Sequence, residues 1–496
     1  MSTPRRSVVK FAVFALVLVL LLAVLTPLLP RAYADERGGH LPSAPLSYAA
    51  SASKLYLPLL MKGGSQPGPG ATNTPLPHPG ATNTPVTQPG TSGGLFMNET
   101  NETVSPKVAI DASGGIHMAY NTYSTADSPA YYAYCAANCG TISSWSIVNL
   151  GGYIENTELA LTKTGHPRLL LSDDHDTSNI GTVFWYAACD TGCTTAAGWK
   201  IVQAAKNTDI PLPEIELGRS HFAFALDNLD RPRFIFVDNV NGGVDYAYCD
   251  ASDCTANGAW STVQLFDTKY DFQQPSLTFT SDGKARLAAD VWQLGVSNLV
   301  IAYGGCDSAC DQPASWILHG LFNGDGAEFV LRLDSQNRPR LALYQQVNGY
   351  LFYDMCDTNC SEQANWSWTD IGLAKDQATV MDLALDAQGR PRMAYRDVVN
   401  DGLGYAWCNA NCTSGAASWQ HTLAESDLIL AAEFNPPIPA NCTASTWADG
   451  YRPSLALNSA GNPRVGHEAE QIVSGDNCPS TPPHFQAVRF TFFNNP

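Results

Sequence analysis

The stretch YYAYCAANCGTISSWSIVNL, residues 131–150, holds an aromatic run, two cysteines four positions apart, and a tryptophan six positions after the second cysteine. Closely similar stretches return at 183–203, 244–265, 300–321, 350–371 and 403–423. In each copy the Tyr-rich run before the cysteines predicts one β-strand, and the run that begins at the tryptophan predicts another. The recurrence indicates a fold built from repeated units.

A second element precedes each cysteine element and is typified by VMDLALDAQGRPRMAYRDV at 380–398. Each copy has an alternating apolar run, a polar turn that carries Gly or Asn, and a second alternating run. This pattern is typical of a β-hairpin. The chain contains seven such copies, at 107–123, 158–174, 224–239, 276–292, 330–346, 380–398 and 454–470.

Four short strands in each repeat predict an all-β fold, a seven-bladed β-propeller of four-stranded blades over residues 95–496. The last copy shows only one strand after its hairpin, the run Phe485 to Phe493, so its fourth strand is missing. A surplus strand at Leu95–Glu99 precedes the first copy. We expect this N-terminal strand to complete the last blade and close the ring, which removes the open sheet edges.

The region before the propeller has three parts. Residues 1–34 form a signal peptide that ends in the small-x-small site Ala32-Tyr33-Ala34, or an uncleaved membrane anchor. Residues 35–62 are a short exported segment, and residues 63–94, rich in Pro, Gly and Thr, are an extended linker. The protein is therefore expected to be secreted or held at the cell surface.

The cysteines fit an exported chain, where disulfides form and persist. A bridge within each close pair would stabilise the fold by about 2 kcal/mol. Zinc is disfavoured because the pairs lie in separate blades without a consistent histidine, and a redox role is disfavoured because the pair is repeated. All fourteen cysteines are predicted to pair: Cys135 with Cys139, Cys189 with Cys193, Cys249 with Cys254, Cys306 with Cys310, Cys356 with Cys360, Cys408 with Cys412, and Cys442 with Cys478.

These units resemble a repeat of exported bacterial β-propeller proteins, which reads approximately Ser-Leu-Ala-Leu-Asp, then Gly-x-Pro, then an apolar strand and a later Tyr-Ala. The resemblance covers residues 95–496 and places the chain near the sialidase-like (BNR-like) propellers in general form. True sialidases carry Ser-x-Asp-x-Gly-x-x-Trp boxes between the third and fourth strands, where this chain has its cysteine pairs. The resemblance therefore implies the fold without implying sialidase chemistry.

The candidate binding residues are polar side chains that end the second strand of each blade or follow it. They differ from blade to blade, as an asymmetric ligand requires, and carboxylates with an arginine suit sugar hydroxyls or calcium. The alternative is an acidic, hydrated rim. We expect them to surround the mouth of the central channel: Asn121, Asp173, His175, Asp238, Asp290, Tyr344, Arg396, Asp397, His467 and Glu468.

Two further polar features have a structural alternative. The run Ser172–Asp176 is dense enough for a calcium loop or an acid–base pair, but it lacks the spaced Asp-x-Asp-x-Asp-Gly pattern and also fits a solvated loop tip. Arginines follow the first turn in six copies, and a residue repeated in a repeated fold is structural by default. They are Arg168, Arg233, Arg286, Arg340, Arg392 and Arg464.

The formal charge of −18 disfavours nucleic acid and anionic lipid surfaces as partners. We therefore predict a monomeric, secreted or cell-surface propeller that binds an extracellular carbohydrate or protein through its variable loops. No cofactor is predicted, with calcium left open. The alternative is an extracellular glycan hydrolase or lyase that uses carboxylates at the channel mouth. A purely structural surface protein is the third interpretation.

Overall fold

The computed structural model describes residues 93–97, 102–122, 128–173, 182–206, 222–237, 244–266, 270–293, 299–323, 326–345, 349–434, 436–475, 478 and 485–495. The predicted signal or anchor, the short exported segment, and the linker up to residue 92 lie outside this range. Among the described residues, helices long and apolar enough to span a membrane are absent.

The described strands form seven antiparallel sheets of four strands each, which confirms the predicted seven-bladed β-propeller. Blade 1 contains β2 to β5, blade 2 contains β6 to β9, and blade 3 contains β10 to β13. Their bounds, after the N-terminal strand β1 (Gly93–Phe96), are β2 (Thr103–Ile110), β3 (Ile116–Thr122), β4 (Ala130–Cys135), β5 (Ser146–Gly151), β6 (Asn156–Leu161), β7 (Pro167–Asp173), β8 (Val183–Ala188), β9 (Lys200–Lys206), β10 (Phe222–Leu226), β11 (Pro232–Val237), β12 (Val244–Cys249) and β13 (Trp260–Phe266).

Blades 4 to 6 repeat the same order of strands along the chain. Blade 4 contains β14 to β17, blade 5 contains β18 to β21, and blade 6 contains β22 to β25. Their bounds are β14 (Tyr270–Phe279), β15 (Ala285–Gln293), β16 (Leu299–Cys306), β17 (Trp316–Asn323), β18 (Gly326–Leu333), β19 (Pro339–Gln345), β20 (Tyr350–Cys356), β21 (Trp366–Asp370), β22 (Ala378–Leu385), β23 (Pro391–Asp397), β24 (Gly402–Cys408) and β25 (Trp419–Glu425).

Blade 7 takes its strands from both ends of the propeller. Helix α1 (Asp427–Glu433) precedes it, and its consecutive strands are β26 (Ala444–Leu457), β27 (Pro463–Ser474) and β28 (Phe485–Phe492). The fourth place is filled by β1, which pairs antiparallel with β28 from Gly93 opposite Phe492 to Phe96 opposite Arg489. The predicted ring closure is therefore confirmed.

The turn between the first and second strands is the same in every blade. In blade 1 the Asp111 carboxylate accepts hydrogen bonds from the backbone N–H groups of Ser113 and Gly115. The fourth turn residue adopts a positive φ, which favours glycine and tolerates Asn or Asp. The residues at this position are Gly114, Gly165, Asp230, Gly283, Asn337, Gly389 and Gly461.

All seven predicted disulfides are present, and the described chain contains no free cysteine. In each of the six close pairs the following tryptophan donates its indole N–H to the carbonyl of the second cysteine or its equivalent, as Trp145 does to Cys139 at 3.0 Å. Seven disulfides are typical of proteins outside the reducing cytosol.

The same tryptophans join neighbouring blades. Each one packs edge-on against an aromatic ring from the third strand of the preceding blade, with centroids 4.7 Å apart for Tyr132 and Trp199 and 5.2 Å apart for Tyr186 and Trp260. At the closure of the ring, Phe490 of blade 7 packs against Trp145 of blade 1 at 5.0 Å. The disulfide loop thus places a large ring between blades.

Candidate functional site

A polar cavity lies at the centre of the ring and has a volume of about 250 Å³. Each blade contributes to it through its first strand, which is the innermost one. The lining residues are 105–108, 156–159, 222–224, 274–277, 328–330, 332, 380–382 and 452–455. Because seven different strands meet here, the wall is asymmetric in a ring that is otherwise repetitive.

Three of the lining strands are distorted at the same point. Ser105, Gln274 and Arg452 have φ values of 55°, 49° and 44°, in the left-handed region. Each stands directly before a proline, where extended backbone is preferred, and each coincides with a shift in the pairing of the first and second strands. Backbone strain of this kind is of order 1–3 kcal/mol per residue and is concentrated at functional sites.

Gln274 is a lining residue whose side-chain amide lacks hydrogen-bond partners within the described part of the chain. Its side chain is 5% exposed, yet neither its amide oxygen nor its amide nitrogen has a hydrogen-bond partner among the described residues. A buried polar group in this state costs about 1–3 kcal/mol. The protein therefore holds a strained residue with an unsatisfied donor and acceptor against the cavity.

The charged groups of the cavity are paired across blades or within one blade. Lys107 of blade 1 binds Glu158 of blade 2 at 2.8 Å, and Arg332 of blade 5 binds Asp382 of blade 6 at 2.8 Å. Burial opposes the charge of Lys107, but the carboxylate of Glu158 raises its pKa. Arg452 binds Glu468 at 2.9 Å. Each of these three cations therefore already has an acidic partner.

Hydrogen bonds between first strands make the cavity wall rigid. The Ser454 hydroxyl accepts the N–H of Val108 at 2.9 Å, and the Ser276 hydroxyl accepts the N–H of Leu331 at 3.0 Å. Thr157 donates to the carbonyl of Ser105 at 2.8 Å. These bonds join blades 7 and 1, 4 and 5, and 2 and 1, so the wall is preorganised.

The predicted binding residues lie one strand outside the cavity. Asn121 stands opposite Val104, Asp290 opposite Gln273, and Glu468 opposite Tyr451 on the inner strand. These three residues therefore lie on second strands, beside the first strands that line the cavity. Their binding of a ligand stays a prediction. Asp173 ends β7 and is half-buried, while His175 and Asp238 lie outside the described residues.

Most of these residues are buried rather than exposed on a rim. Asn121 donates to the carbonyls of Thr122 and Ile154, and Asp397 accepts from Gln377 and Asn400. The expectation of an exposed ring therefore needs correction, because such side chains satisfy loop and strand ends. Those 0–7% exposed are Asn121, Asp290, Tyr344, Arg396, Asp397, His467 and Glu468.

Two of the predicted residues belong to a buried ionic cluster between blades 6 and 7. His467 Nδ1 lies 2.8 Å from an Asp449 oxygen, and its Nε2 lies 3.3 Å from Glu425. Arg489 donates two hydrogen bonds to Glu425 and also pairs with Glu433 of α1. Arg396 donates to the Asp449 carbonyl at 3.0 Å. No local sequence pattern indicates this cluster, because its members are far apart in the chain.

Electrostatics define the charge state of this cluster. Burial disfavours the charged imidazole of His467, but the Asp449 and Glu425 carboxylates raise its pKa to about 9. Burial likewise disfavours ionised Glu425, yet the hydrogen bond from His467 and the charge of Arg489 lower its pKa to about 2. His467 is therefore a cation at neutral pH, held between two carboxylates.

Glu425, Asp449 and His467 also have the residue types and spacing of a metal site, with ligand atoms within 4.8 Å of one another. The surrounding contacts argue against a metal. Arg489 and the Thr491 hydroxyl already occupy the Glu425 oxygens, and a metal would require His467 to be neutral. The cluster fits an ionic lock between blades better than a metal centre.

Comparison with known proteins finds structural neighbours of low sequence identity. No protein-family model matches the chain, and no curated protein matches it. A protein of unknown function from Dyadobacter fermentans is 12% identical, with 82% of this chain and 99% of that one covered and a TM-score of 0.41. The polysaccharide lyase Uly1 is 10% identical over 78% and 89% of the two chains, with a TM-score of 0.38.

The Hadza microbial sialidase Hz136 is 9% identical, covering 81% of this chain and 68% of that one at a TM-score of 0.38. At 9–12% identity and TM-scores of 0.38–0.41, these neighbours support no statement about the function of this chain. Fold and site together define a disulfide-bonded, seven-bladed β-propeller with a polar central cavity.

Proposed function

We propose that this protein is an extracellular binding propeller that takes a neutral carbohydrate unit in its central cavity. The observation that carries the proposal is Gln274, a residue of the cavity wall whose backbone is strained and whose buried amide has no hydrogen-bond partner among the described residues. A primary amide offers donors and acceptors together, which matches a sugar hydroxyl that can both donate and accept. The predicted export signal and the seven disulfides support a ligand outside the cell.

The charge balance of the cavity favours a neutral ligand over an acidic one. Lys107, Arg332 and Arg452 are each bound to a carboxylate at 2.8–2.9 Å. An anionic sugar would have to displace one of these carboxylates and leave it buried without its partner, which is strongly unfavourable. A volume of about 250 Å³ is near the lower end of small-molecule sites, which suits one sugar residue.

The hydrolase or lyase alternative needs a carboxyl group free to exchange protons. Glu158 and Asp382 are held by cations from neighbouring blades, and Asp382 also accepts the N–H of Leu455 at 2.7 Å. Two of the three lining carboxylates thus already have structural partners, which supports binding without bond cleavage. Product analysis by mass spectrometry after incubation with each bound glycan tests the alternative directly.

The proposal is tested by a glycan array followed by titration calorimetry of the strongest neutral hit. Gln274→Leu is expected to weaken its binding at least tenfold, because the amide contacts are lost. Gln388→Leu, on an exposed hairpin turn, is the matched control and should bind as the wild type does.

The same variant separates a binding role from a structural one. Because the Gln274 amide is unsatisfied, leucine should leave the free energy of unfolding unchanged or raise it by up to about 2 kcal/mol. A destabilised Gln274→Leu protein, or one that binds the sugar normally, contradicts the proposal.

A further inference from the structure

The repeated arginine after the first turn has an acidic partner in five blades. Its Nη1 donates to the carbonyl of the residue before it and, in four of these blades, to a cysteine carbonyl, as Arg340 does to Pro339 and Cys356 at 3.0 Å. Its Nη2 holds a carboxylate. The Nη2 pairs are Arg168 with Asp190, Arg233 with Asp227 and Asp250, Arg286 with Asp307, Arg340 with Asp334 and Asp357, and Arg392 with Asp386.

Arg464 of blade 7 keeps the hydrogen bonds from Nη1 to backbone carbonyls and lacks, in the part of the chain that the structure describes, the carboxylate partner of Nη2. Its Nη1 donates to the carbonyls of Pro463 and Phe493. Among the described residues, its Nη2 has no carboxylate, because the cysteine-aspartate segment of the other blades is absent from blade 7. Burial lowers the pKa of Arg464, with no acidic group to raise it.

This guanidinium lines a pocket between blades 7 and 1 with a volume of about 510 Å³. The apolar part of the wall is formed by Ile110, Ile116, Phe490 and Phe492, and the Phe492 ring centroid is 5.9 Å from the Arg464 guanidinium carbon. The rest of the wall is the first disulfide loop, residues 137–141, with Asn458 and Ser459. A cation thus stands at the edge of an apolar pocket.

We propose that this pocket binds a small organic acid whose carboxylate pairs with Nη2 of Arg464 and whose apolar body packs on Ile110 and Phe492. The equivalent arginines show what Nη2 binds when a partner is present. In five other blades, Nη2 of the arginine at this position pairs with an aspartate. The site is separate from the central cavity, where each of the three cations already has a partner. An arginine and a carboxylate form a strong charge-assisted pair with defined geometry.

The test compares phenylacetate with phenylacetamide, which has the same shape without the charge, by calorimetry on the folded propeller. The wild type should bind the acid at least tenfold more tightly than the amide. Arg464→Gln should abolish this preference. Arg168→Gln removes the equivalent arginine of blade 2, whose Asp190 partner is 66% exposed, and should leave the preference intact.

Melting temperatures and near-ultraviolet circular dichroism of both variants verify that each remains folded. Failure of the wild type to bind phenylacetate, or equal binding of the acid and the amide, overturns the proposal. So does loss of the preference in Arg168→Gln, because the acid would then be bound elsewhere.

Discussion

Blades 1 to 6 differ from blade 7 in how the four-stranded sheet is completed and in how it contacts the next blade. Each of the first six is a continuous segment whose third and fourth strands are joined by a short disulfide loop, with a tryptophan that contacts the neighbouring blade. Blade 7 has no such loop. Its fourth strand comes from the start of the propeller. Its contacts with blade 6 combine Phe493, which packs edge-on against Tyr405 at 5.0 Å, with the buried cluster around Glu425, His467 and Arg489.

The difference shows that local contacts hold the repeated blades while long-range contacts hold the closure. Cys306 and Cys310 are separated by 4 positions, whereas Arg489 and Glu425 are separated by 64. Stability should therefore depend most on the few interactions at the closure. The following changes test this ordering, from the largest expected effect to the smallest.

Removal of β1 should have the largest effect. A chain that begins at Thr103 loses the buried side chains of Phe96 and Met97 and exposes the edge of β28. Loss of a buried Phe alone costs about 3–5 kcal/mol, so we expect a partly unfolded or aggregating protein. A chain that begins at Gly93 is the control. Equal urea midpoints for the two chains would show that β1 does not close the ring.

Arg489→Met should be next, because it removes the cation that Glu425 and Glu433 share and leaves His467 as the cation beside Glu425. Breaking a buried ion pair costs about 3–5 kcal/mol. Arg489 is 1% exposed, whereas Arg231, which also binds an aspartate, has a side chain that is 36% exposed. Arg231→Met should therefore cost at most about 1 kcal/mol. Similar losses in the two variants, measured by urea unfolding, would remove the distinction between the closure and the repeats.

The disulfides allow the stabilisation by a long closed loop in blade 7 to be compared with that by a short closed loop in blade 4. Replacing Cys442 and Cys478 by serine opens a loop with a separation of 36, for which chain entropy gives about 4 kcal/mol. Replacing Cys306 and Cys310 opens a loop with a separation of 4, for which the same relation gives about 2 kcal/mol. A greater loss in unfolding free energy for the short loop would contradict this order.

The closure should also give stability a specific pH dependence. The pKa of His467 is about 9 in the folded protein and near 6.5 when unfolded, so the folded state retains the proton more tightly. Its contribution is complete below pH 6.5 and is lost as the pH rises through 9. His467→Gln should therefore lose less stability than the wild type between pH 6.5 and 9. Identical slopes in urea titrations would mean that His467 is not a buried cation.

The sequence predicted the repeats because their signals are local. Alternating strands, the turn glycines, the cysteine pairs and the surplus strand at Leu95 each lie within one short segment. The same logic identified the Pro-Arg arginines as structural, and in five blades they bind a polar side chain of the loop between the third and fourth strands.

The site was harder to predict because it depends on bulges and on distant residues. The pattern of alternation cannot show that the chain changes register at Gln273, which places Gln274 against the cavity. A signal was available: Ser-Pro, Gln-Pro and Arg-Pro stand at equivalent points of three first strands. Similarly, we expected Arg396 at the mouth of the central channel, but it is buried and its guanidinium carbon lies 3.5 Å from the centroid of the Tyr451 ring, so Arg396→Ala should destabilise the fold.

The most direct test of the central claim is a crystal structure of the propeller with its strongest neutral saccharide. We expect one sugar residue in the central cavity, with hydroxyl groups within hydrogen-bond distance of both polar atoms of the Gln274 amide. We also expect the Lys107–Glu158 and Arg332–Asp382 pairs to remain intact around the sugar. A saccharide bound on the outer strands or the loops, with the cavity unchanged, would contradict the central claim.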